Sequence, residues 1–432
     1  MPASVRTVER PCPEPPQQAP GGPAQGPSSA AVFQGAATQA TLDLVTTRAG
    51  FDALEASWNG LFARAGRNTH LFQTFNWLWH WANHFLPAPG EPGPELAIVT
   101  AYAEGRLVMV WPLVRERVGP VTQLSWMGDP VSQYGDVLID DLPDAADLLR
   151  AAWDFVTRRT GASVVLLRKV RADSVIAPLL SETGATVTAE LSAPYLDLAS
   201  APSFAEYEKR YSGNARRNRG RQRRRLAERG AVTLGWHTHG AEAEALADET
   251  FRLKRIWLDE RGVLSPALTD PRTARFFADA TRAETHPAGC HVLNLSCGER
   301  PVALEIGVRC KGRTAIHVIT YDLDYEKTAA GALLMEDSIR RAYADGMTVY
   351  DLLAPGDGYK LEWADDAVAV RDWAAPISLL GRAYTAVYLE LIRGGLKRGL
   401  DALPVDVRRK LMRVLARRNG AVSASWSGSS AG

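Results

Sequence analysis

Cysteine is scarce in this chain: Cys12, Cys290, Cys297 and Cys310 are the only four in 432 residues, and no two stand in a C-x-x-C spacing. That excludes a zinc ribbon, a thioredoxin-type dithiol and a disulfide-stapled fold, and makes a reducing compartment the expectation. Also missing is any run near the ~18 consecutive apolar residues of a membrane-crossing helix. The first thirty residues carry Pro, Gly, Gln and Ser where a signal peptide needs an apolar stretch, so neither export nor embedding is expected and the cytoplasm is the expected location. A surplus of one charge is lacking too, since 50 Lys plus Arg face 49 Asp plus Glu for a formal net charge of +1. Electrostatic recognition must therefore be local. There is no P-loop.

What is present suits two ordinary domains: 432 residues, 46% hydrophobic and 23% charged. Eight of the 26 prolines fall within residues 1–30, which argues for an unstructured tail over 1–38. A second tail, rich in Ser, Gly and Ala, is expected over 419–432. Charge is uneven between them. Phe204 to Gly230 holds ten Lys or Arg and three acids, and Arg382 to Arg418 again ten and three. Taking both +7 segments from the total of +1 leaves −13, an acidic body carrying two basic segments.

Periodicity over 39–203 gives helices at Phe51–Ala65, Asn76–Phe85, Ala145–Thr160 and near Ser174–Glu182. Strands fall at Leu96–Tyr102, Arg106–Arg115, Val121–Met127 and Ser163–Leu167. An arginine-rich helix links this unit, over 204–235, to a second one over 236–375. The second reads helix (Glu242–Arg261), helix (Pro271–Thr285), three strands (His291–Cys297, Arg300–Arg309, Arg313–Tyr321), helix (Ala330–Asp345) and strand (Met347–Leu353). Gly346 stands where a helix C-terminus favours left-handed backbone. Amphipathic basic helices follow over 376–418. The fold class is α/β (α+β), with two mixed central sheets flanked by helices.

The segment richest in chemistry is Thr314–Trp363. A strand ends at Tyr321, a polar turn follows, and a helix opens at Ala329-Ala330-Gly331-Ala332. Small residues at a helix start let backbone amides approach an anion closely, and the helix dipole adds attraction. The same step also serves as a plain, well-packed helix start.

The succession strand, Y-D-x-x-Y, small-Gly step, helix, D-G, strand with Asp351, then G-D-G-Y-K and Trp363 resembles the CelD/BcsL-like acetyltransferases of the GNAT superfamily. Leu71–Phe85 resembles their F-Q-x-x-x-W helix and Gly128–Asp140 their G-x-P-x-S-x-Y-x-D stretch. Asn214–Gly230 is similar to their Arg-rich helix, so the resemblance spans residues 41–375. FemAB-type transferases share the tandem plan. The resemblance implies two tandem GNAT-like domains, acetyl-CoA or another acyl-CoA as co-substrate, and transfer of the acyl group to an amine or hydroxyl in a cleft between domains. It implies that sugars or polysaccharide and cell-envelope precursors are the acceptors. In that family the strand–Gly–helix step cradles the CoA pyrophosphate, which assigns Thr328, Ala330, Gly331, Ala332 and Leu333, with Lys360, to cofactor binding. Where members carry Ser-Pro-Gly, this chain has Ala329-Ala330-Gly331.

Acyl transfer needs a base for the nucleophile, donors for the developing oxyanion and an acid for the thiolate. Glu305 alternates with Ala303 and Gly307 on one strand face, with room around it. His317 lies on the strand that would line the acyl group and titrates near neutrality. Tyr321 and Tyr325 are candidate acids. Asp351 is a candidate for orienting substrate. Trp77, Tyr134, Arg217 and Tyr359 are expected to contact the acceptor. Each of these has a structural use as well: solvated carboxylate, core histidine, packed aromatic, salt bridge. The arginines between Arg216 and Arg229 suit anion contact or a solvated face; nucleic acid is disfavoured because no aromatics are interleaved for base stacking. His80 and His84 lack a third ligand, so no metal is expected. The basic C-terminal helices suit docking on the body, or peripheral contact with anionic lipid. Two other functions stay open, aminoacyl transfer from charged tRNA and a non-catalytic assembly module.

Overall fold

The computed structural model describes residues 30–387 apart from 89, 264 and 357. Its strands, in chain order, are β1 (Ala31–Gln34), β2 (Gln39–Val45), β3 (Glu95–Leu96), β4 (Ile98–Ala103), β5 (Arg106–Trp111), β6 (Leu113–Val118), β7 (Val121–Trp126), β8 (Leu138–Ile139), β9 (Val164–Arg171), β10 (Thr186–Asp197), β11 (Val232–His237), β12 (Gly289–Cys297), β13 (Arg300–Cys310), β14 (Arg313–Tyr321), β15 (Val349–Asp351) and β16 (Asp366–Pro376). Five of them form the sheet β1-β2-β4-β5-β8. The other eleven form β11-β12-β13-β14-β15-β10-β16-β9-β7-β6-β3.

The chain leaves the small sheet for the large one at Pro112, between β5 and β6, where a residue without an N–H ends one ladder before the next begins. The large sheet runs through both halves of the molecule. Strand β10, from the first half, lies between β15 and β16, and β16, from the end of the second half, lies between β10 and β9. Each half therefore completes the other's sheet. The core is shared in the same way. Trp77, on the helix Phe75–Phe85, meets Phe276 of the helix Pro271–Arg282 edge to face at 4.8 Å, and Phe51, Trp58, Phe72, Phe251 and Phe277 belong to the same buried cluster. Each such ring removed from water stabilises the fold by ~2–3 kcal/mol.

The mixed α/β class is as expected, and Ala145–Thr160 and Arg313–Tyr321 fall where the pattern puts them. Several elements differ. The expected tail over 1–38 ends sooner, because Ala31–Gln34 pairs with Gln39–Leu42 as a hairpin; residues 1–29 lie outside the described residues. The helix expected over Phe51–Ala65 is broken into Arg48–Asp52 and Glu55–Ala65. Strands β10 and β16 have no counterpart in the pattern. Their pairing joins residues some 180 positions apart, such as Thr186 to Ala374, and Pro194 breaks the local strand signal of β10. Past Val387 the basic C-terminal helices lie outside the described residues.

Candidate active site

Strands β14 and β15 are parallel and paired only at Arg313–Ala315 against Val349–Asp351. Beyond Ala315, β14 runs on to Tyr321 with no strand along that edge, while the chain after Asp351 turns away and Leu352 N–H donates to Pro194 O at 3.0 Å. The result is a V-shaped opening in the sheet. A cavity of about 300 Å³ occupies it, with Ile316–Ile319 on one wall and Leu352–Pro355 on the other. An unpaired strand edge facing a cavity offers N–H and C=O groups to a ligand that carries amides.

After β14, the helix Ala330–Ala344 starts at Ala329, whose φ of +54° is left-handed and whose methyl side chain cannot cap. The amides of Ala330 and Gly331 are first-turn donors with no intrahelical acceptor; Ala330 is buried and Gly331 half-buried. A Cβ on Gly331 would stand 3.1 Å from the Tyr321 ring, so a bulkier residue crowds this corner. Tyr321 itself does not reach the cavity; its hydroxyl contacts Glu326 at 3.3 Å and receives a bond from Arg261 at 3.2 Å.

Two bulges shape the upper part of the cavity. In the β13–β14 ladder Ile306 faces Val318 and Gly307 faces Ile316, so His317 is the extra residue. In the β9–β16 ladder Asp372 faces both Arg168 and Lys169. Lys169 has φ of +54°, strained for a residue with a side chain, and is pinned there: its N–H donates to Asp372 Oδ1 at 2.9 Å and its carbonyl accepts from Gly135. Bulges re-aim side chains. Here both bulged residues line the cavity, with Gln133 beside them. Lys169 Nζ donates to Gln133 Oε1 at 2.8 Å, and Gln133 Nε2 lies 3.3 Å from His317 Nε2. His317 Nε2 also donates to Val131 O at 2.5 Å. Burial, with help from the nearby Lys169 and Lys360 ammonium groups, pushes the imidazole down to about 4, so the ring is neutral at physiological pH. Its Nδ1 lone pair has no partner. Burial likewise pulls Lys169 below the ordinary lysine value.

Asp351, fully buried at the end of β15, holds the splay in place. Its Oδ1 accepts from Leu353 N at 2.9 Å and from the Tyr134 hydroxyl at 2.8 Å; its Oδ2 accepts from Arg313 Nη1 at 2.6 Å, with Arg171 Nη1 at 3.8 Å. The stretch Gly128–Asp140 lends Pro130, Val131 and Gln133 to the cavity lining. Val131 O takes His317, Gln133 Oε1 and Ser132 O take Lys169, and Asp136 accepts the N–H groups of Val175 and Ile176. Gly135 is required by contact, since a Cβ there would lie 2.2 Å from the Trp126 indole.

Of the residues singled out from sequence, His317, Tyr359 and Lys360 line the cavity. Lys360 Nζ donates to the carbonyls of Leu353 and Pro355. Tyr134 and Asp351 meet just behind it. Trp77 is a back wall: its indole N–H donates to Ser132 Oγ at 3.0 Å, and its ring is packed with Phe72, Phe276 and Phe277. Glu305 is elsewhere. Both faces of β13 are covered, so the open face expected for it does not exist; its carboxylate accepts from Ser338 Oγ at 2.6 Å and Tyr350 OH at 3.2 Å beneath the helix Ala330–Ala344. Tyr325, Ala330 and Leu333 turn into the core, and Thr328 Oγ1 donates to Tyr325 O. The arginine-rich helix is Gly213–Ala227. Arg219 and Arg223 pair with Glu336 and Asp337, whereas Arg217 is exposed on the outward face with Arg221, Arg224 and Arg225, away from the cavity. His80 and His84 both bind Asp279, and no group of His, Cys, Asp or Glu among the described residues is placed to hold a metal ion. Sequence reading missed Lys169, Gln133, Thr273 and Lys254, all on the cavity wall. Only Gln133 carried a signal, as part of the Gly128–Asp140 stretch.

Residues 213–361 match the family model described as an acetyltransferase (GNAT) domain. Among solved structures, FemX has a TM-score of 0.54 at 10% identity over 78% of this chain and 98% of that one. A tandem GNAT protein from the clavulanic acid biosynthesis pathway has 0.42 at 14% identity, over 78% and 98%. The C-terminal domain of a putative lysylphosphatidylglycerol synthetase from Agrobacterium fabrum has 0.46 at 11%, over 78% and 95%. At 10% identity, the likeness to FemX speaks for the fold alone. No curated protein sequence matches the chain. No helix among the described residues is long and apolar enough to cross a membrane.

Proposed function

We propose that the chain is an acyl-CoA-dependent acyltransferase that acylates an amine, with the acyl group held in the opening between β14 and β15. The observation that carries this reading is the separation of those strands after Ala315, which leaves a lined cavity in the sheet, with β14 followed in the chain by an uncapped helix start at Ala329. The residues fit the group: a first-turn amide at the half-buried Gly331 for a diphosphate and an unpaired strand edge for an amide-bearing arm. Bound there, acyl-CoA supplies an activated thioester. The chain's own part is placement. Asp351 fixes the end of β15 through Leu353 N–H, and the bulge at His317 turns a neutral imidazole into the cavity. Acceptors of the sugar or envelope-precursor kind belong to this proposal, as does action in the cytoplasm.

The test is thermal stability with acetyl-CoA, longer acyl-CoAs and charged tRNA, for the native protein and Gly331→Trp. Stabilisation by a CoA ester that disappears in the variant supports the reading. Indifference to every CoA ester removes it. A second reading, aminoacyl transfer from charged tRNA, is favoured by one observation, the outward row Arg217, Arg221, Arg224 and Arg225. It requires tRNA binding that weakens steeply with salt and is lost when those four are replaced.

A further inference from the structure

The wall of the cavity contributed by the first half of the chain has a chemical character of its own. Lys169 is steered into the cavity by its bulge, and its ammonium bonds only neutral oxygens, Gln133 Oε1 at 2.8 Å and Ser132 O at 3.3 Å. An ammonium has three donors, which leaves one for a ligand. The nearest carboxylates are engaged elsewhere: Asp129 by Arg168, and Asp372 by the N–H of Lys169 itself. Lys254 and Lys360 line the same cavity, and no Asp or Glu does among the described residues. Two buried polar atoms on its walls lack any hydrogen-bond partner, His317 Nδ1 and Thr273 Oγ1. They share one side of the cavity: Phe277, one helical turn beyond Thr273, packs on the His317 ring at 4.6 Å. Buried polar atoms are almost always satisfied, so a pair of orphans beside a desolvated cation marks a place for a polar, anionic guest.

We propose that this wall is the acceptor subsite, and that it selects an amine bearing a carboxylate or phosphate, with Lys169 as counter-ion and Thr273 and His317 bonding the polar body of the acceptor. The inference rests on the acyl-transfer reading above. In the reaction the acceptor nitrogen bonds the acyl carbon, the carbon–sulfur bond breaks, and the thiolate leaves with its electron pair and takes up the proton the nitrogen loses. A neighbouring ammonium favours the neutral form of the attacking amine. A polyamine would find no counter-ion among the described residues of this lining, and burying its charges unpaired would be costly. The volume of about 300 Å³ restricts the guest to a small molecule.

The experiment uses the full chain with saturating acetyl-CoA and paired probes: glucosamine 6-phosphate against glucosamine, glycine against glycinamide, inorganic phosphate alone, and spermidine. Melting temperature and thiol release are read together. The expected result is further stabilisation by at least one anionic probe but not by its neutral partner or by spermidine. For any pair that turns over, kcat/KM should be at least tenfold higher for the anionic member. Lys169→Met should abolish that preference through KM while keeping the acetyl-CoA shift, and Lys169→Arg should retain it. No shift with any anionic probe, equal use of both members of a pair, or acetylation of spermidine overturns the acceptor inference and leaves acyl transfer standing. If acetyl-CoA neither shifts the melting temperature nor releases thiol, acyl transfer itself fails. The wild-type comparison decides even if Lys169→Met does not fold.

Discussion

The Tyr134 hydroxyl donates to Asp351 across 2.8 Å, joining a loop of the first half to the last residue of β15 over 217 positions of sequence. Neither residue is accessible, and burial together with the adjacent carboxylate raises the phenol well above its ordinary value, so Tyr134 is a fixed donor. The same carboxylate takes Leu353 N–H, at a residue whose φ of +59° turns the chain away from β14. The inter-half bond and the opening of the site therefore depend on one side chain.

Replacing the two partners should give unequal losses. Tyr134→Phe leaves Asp351 bonded to Arg313 and to Leu353 N–H, so about 1–2 kcal/mol is expected. Asp351→Asn strips the counter-ion from Arg313, under a tenth exposed, while Arg171 keeps its paired bonds to Asp173, and about 3–5 kcal/mol is expected. Urea denaturation measures both. Equal losses would mean that Arg313 is satisfied without Asp351.

Gly331 tests the helix corner without touching the core. Its Cβ position is 3.1 Å from the Tyr321 ring, tight but relieved by a small shift of a half-exposed side chain, so Gly331→Ala should fold and bind an acyl-CoA slightly more weakly. Gly331→Trp covers the amides of the first turn. At least a tenfold loss of acyl-CoA affinity is expected by calorimetry, with a melting temperature near that of the native protein. Undiminished binding would place the diphosphate elsewhere.

Parts of this site can be read from sequence and parts cannot, for physical reasons. The step from β14 into the helix at Ala330 is local: a strand, a polar turn and small residues announce themselves within twenty positions. Tyr134 and Asp351 stand out individually, yet nothing local says that they touch. The bulges are harder still. Lys169 lies past the end of the strand expected over Ser163–Leu167, and only the pairing of β9 with β16, two hundred positions later, creates the extra residue that turns it inward. Glu305 misleads in the opposite sense. Small neighbours suggested space, but the helix Ala330–Ala344 fills it with Ser338 beside Tyr350 from β15.

That placement gives Glu305 a structural prediction. Its carboxylate accepts from Ser338 and Tyr350, and His291 lies 3.7 Å away, all outside the cavity. Glu305→Gln replaces one acceptor oxygen with a donor facing hydroxyls already committed to donating. A loss of about 1–3 kcal/mol is expected, with kcat for a working acyl acceptor within about twofold of the native value at a temperature where both proteins are folded. A hundredfold fall in kcat with unchanged stability would return Glu305 to the chemistry.

His317 gives the molecule an acid dependence whose sign can be worked out. An imidazole in the unfolded chain titrates near 6.5, whereas burial, then Lys169 and Lys360, hold the folded ring at about 4. Between those values the unfolded state binds the extra proton, so stability is fully present above about pH 6.5 and falls as pH drops toward 4. The slope is ~1.4 kcal/mol per pH unit, or roughly 3 kcal/mol over the window. His291, buried with both ring nitrogens unpartnered and also shifted down, acts in the same direction. His317→Gln should therefore lose less stability than the native protein between pH 7 and pH 5 when both are unfolded in urea, and His317→Gln with His291→Gln less again. Were the single variant to show the native pH slope, the ring would be protonated in the folded protein, and it would no longer offer Nδ1 to an acceptor.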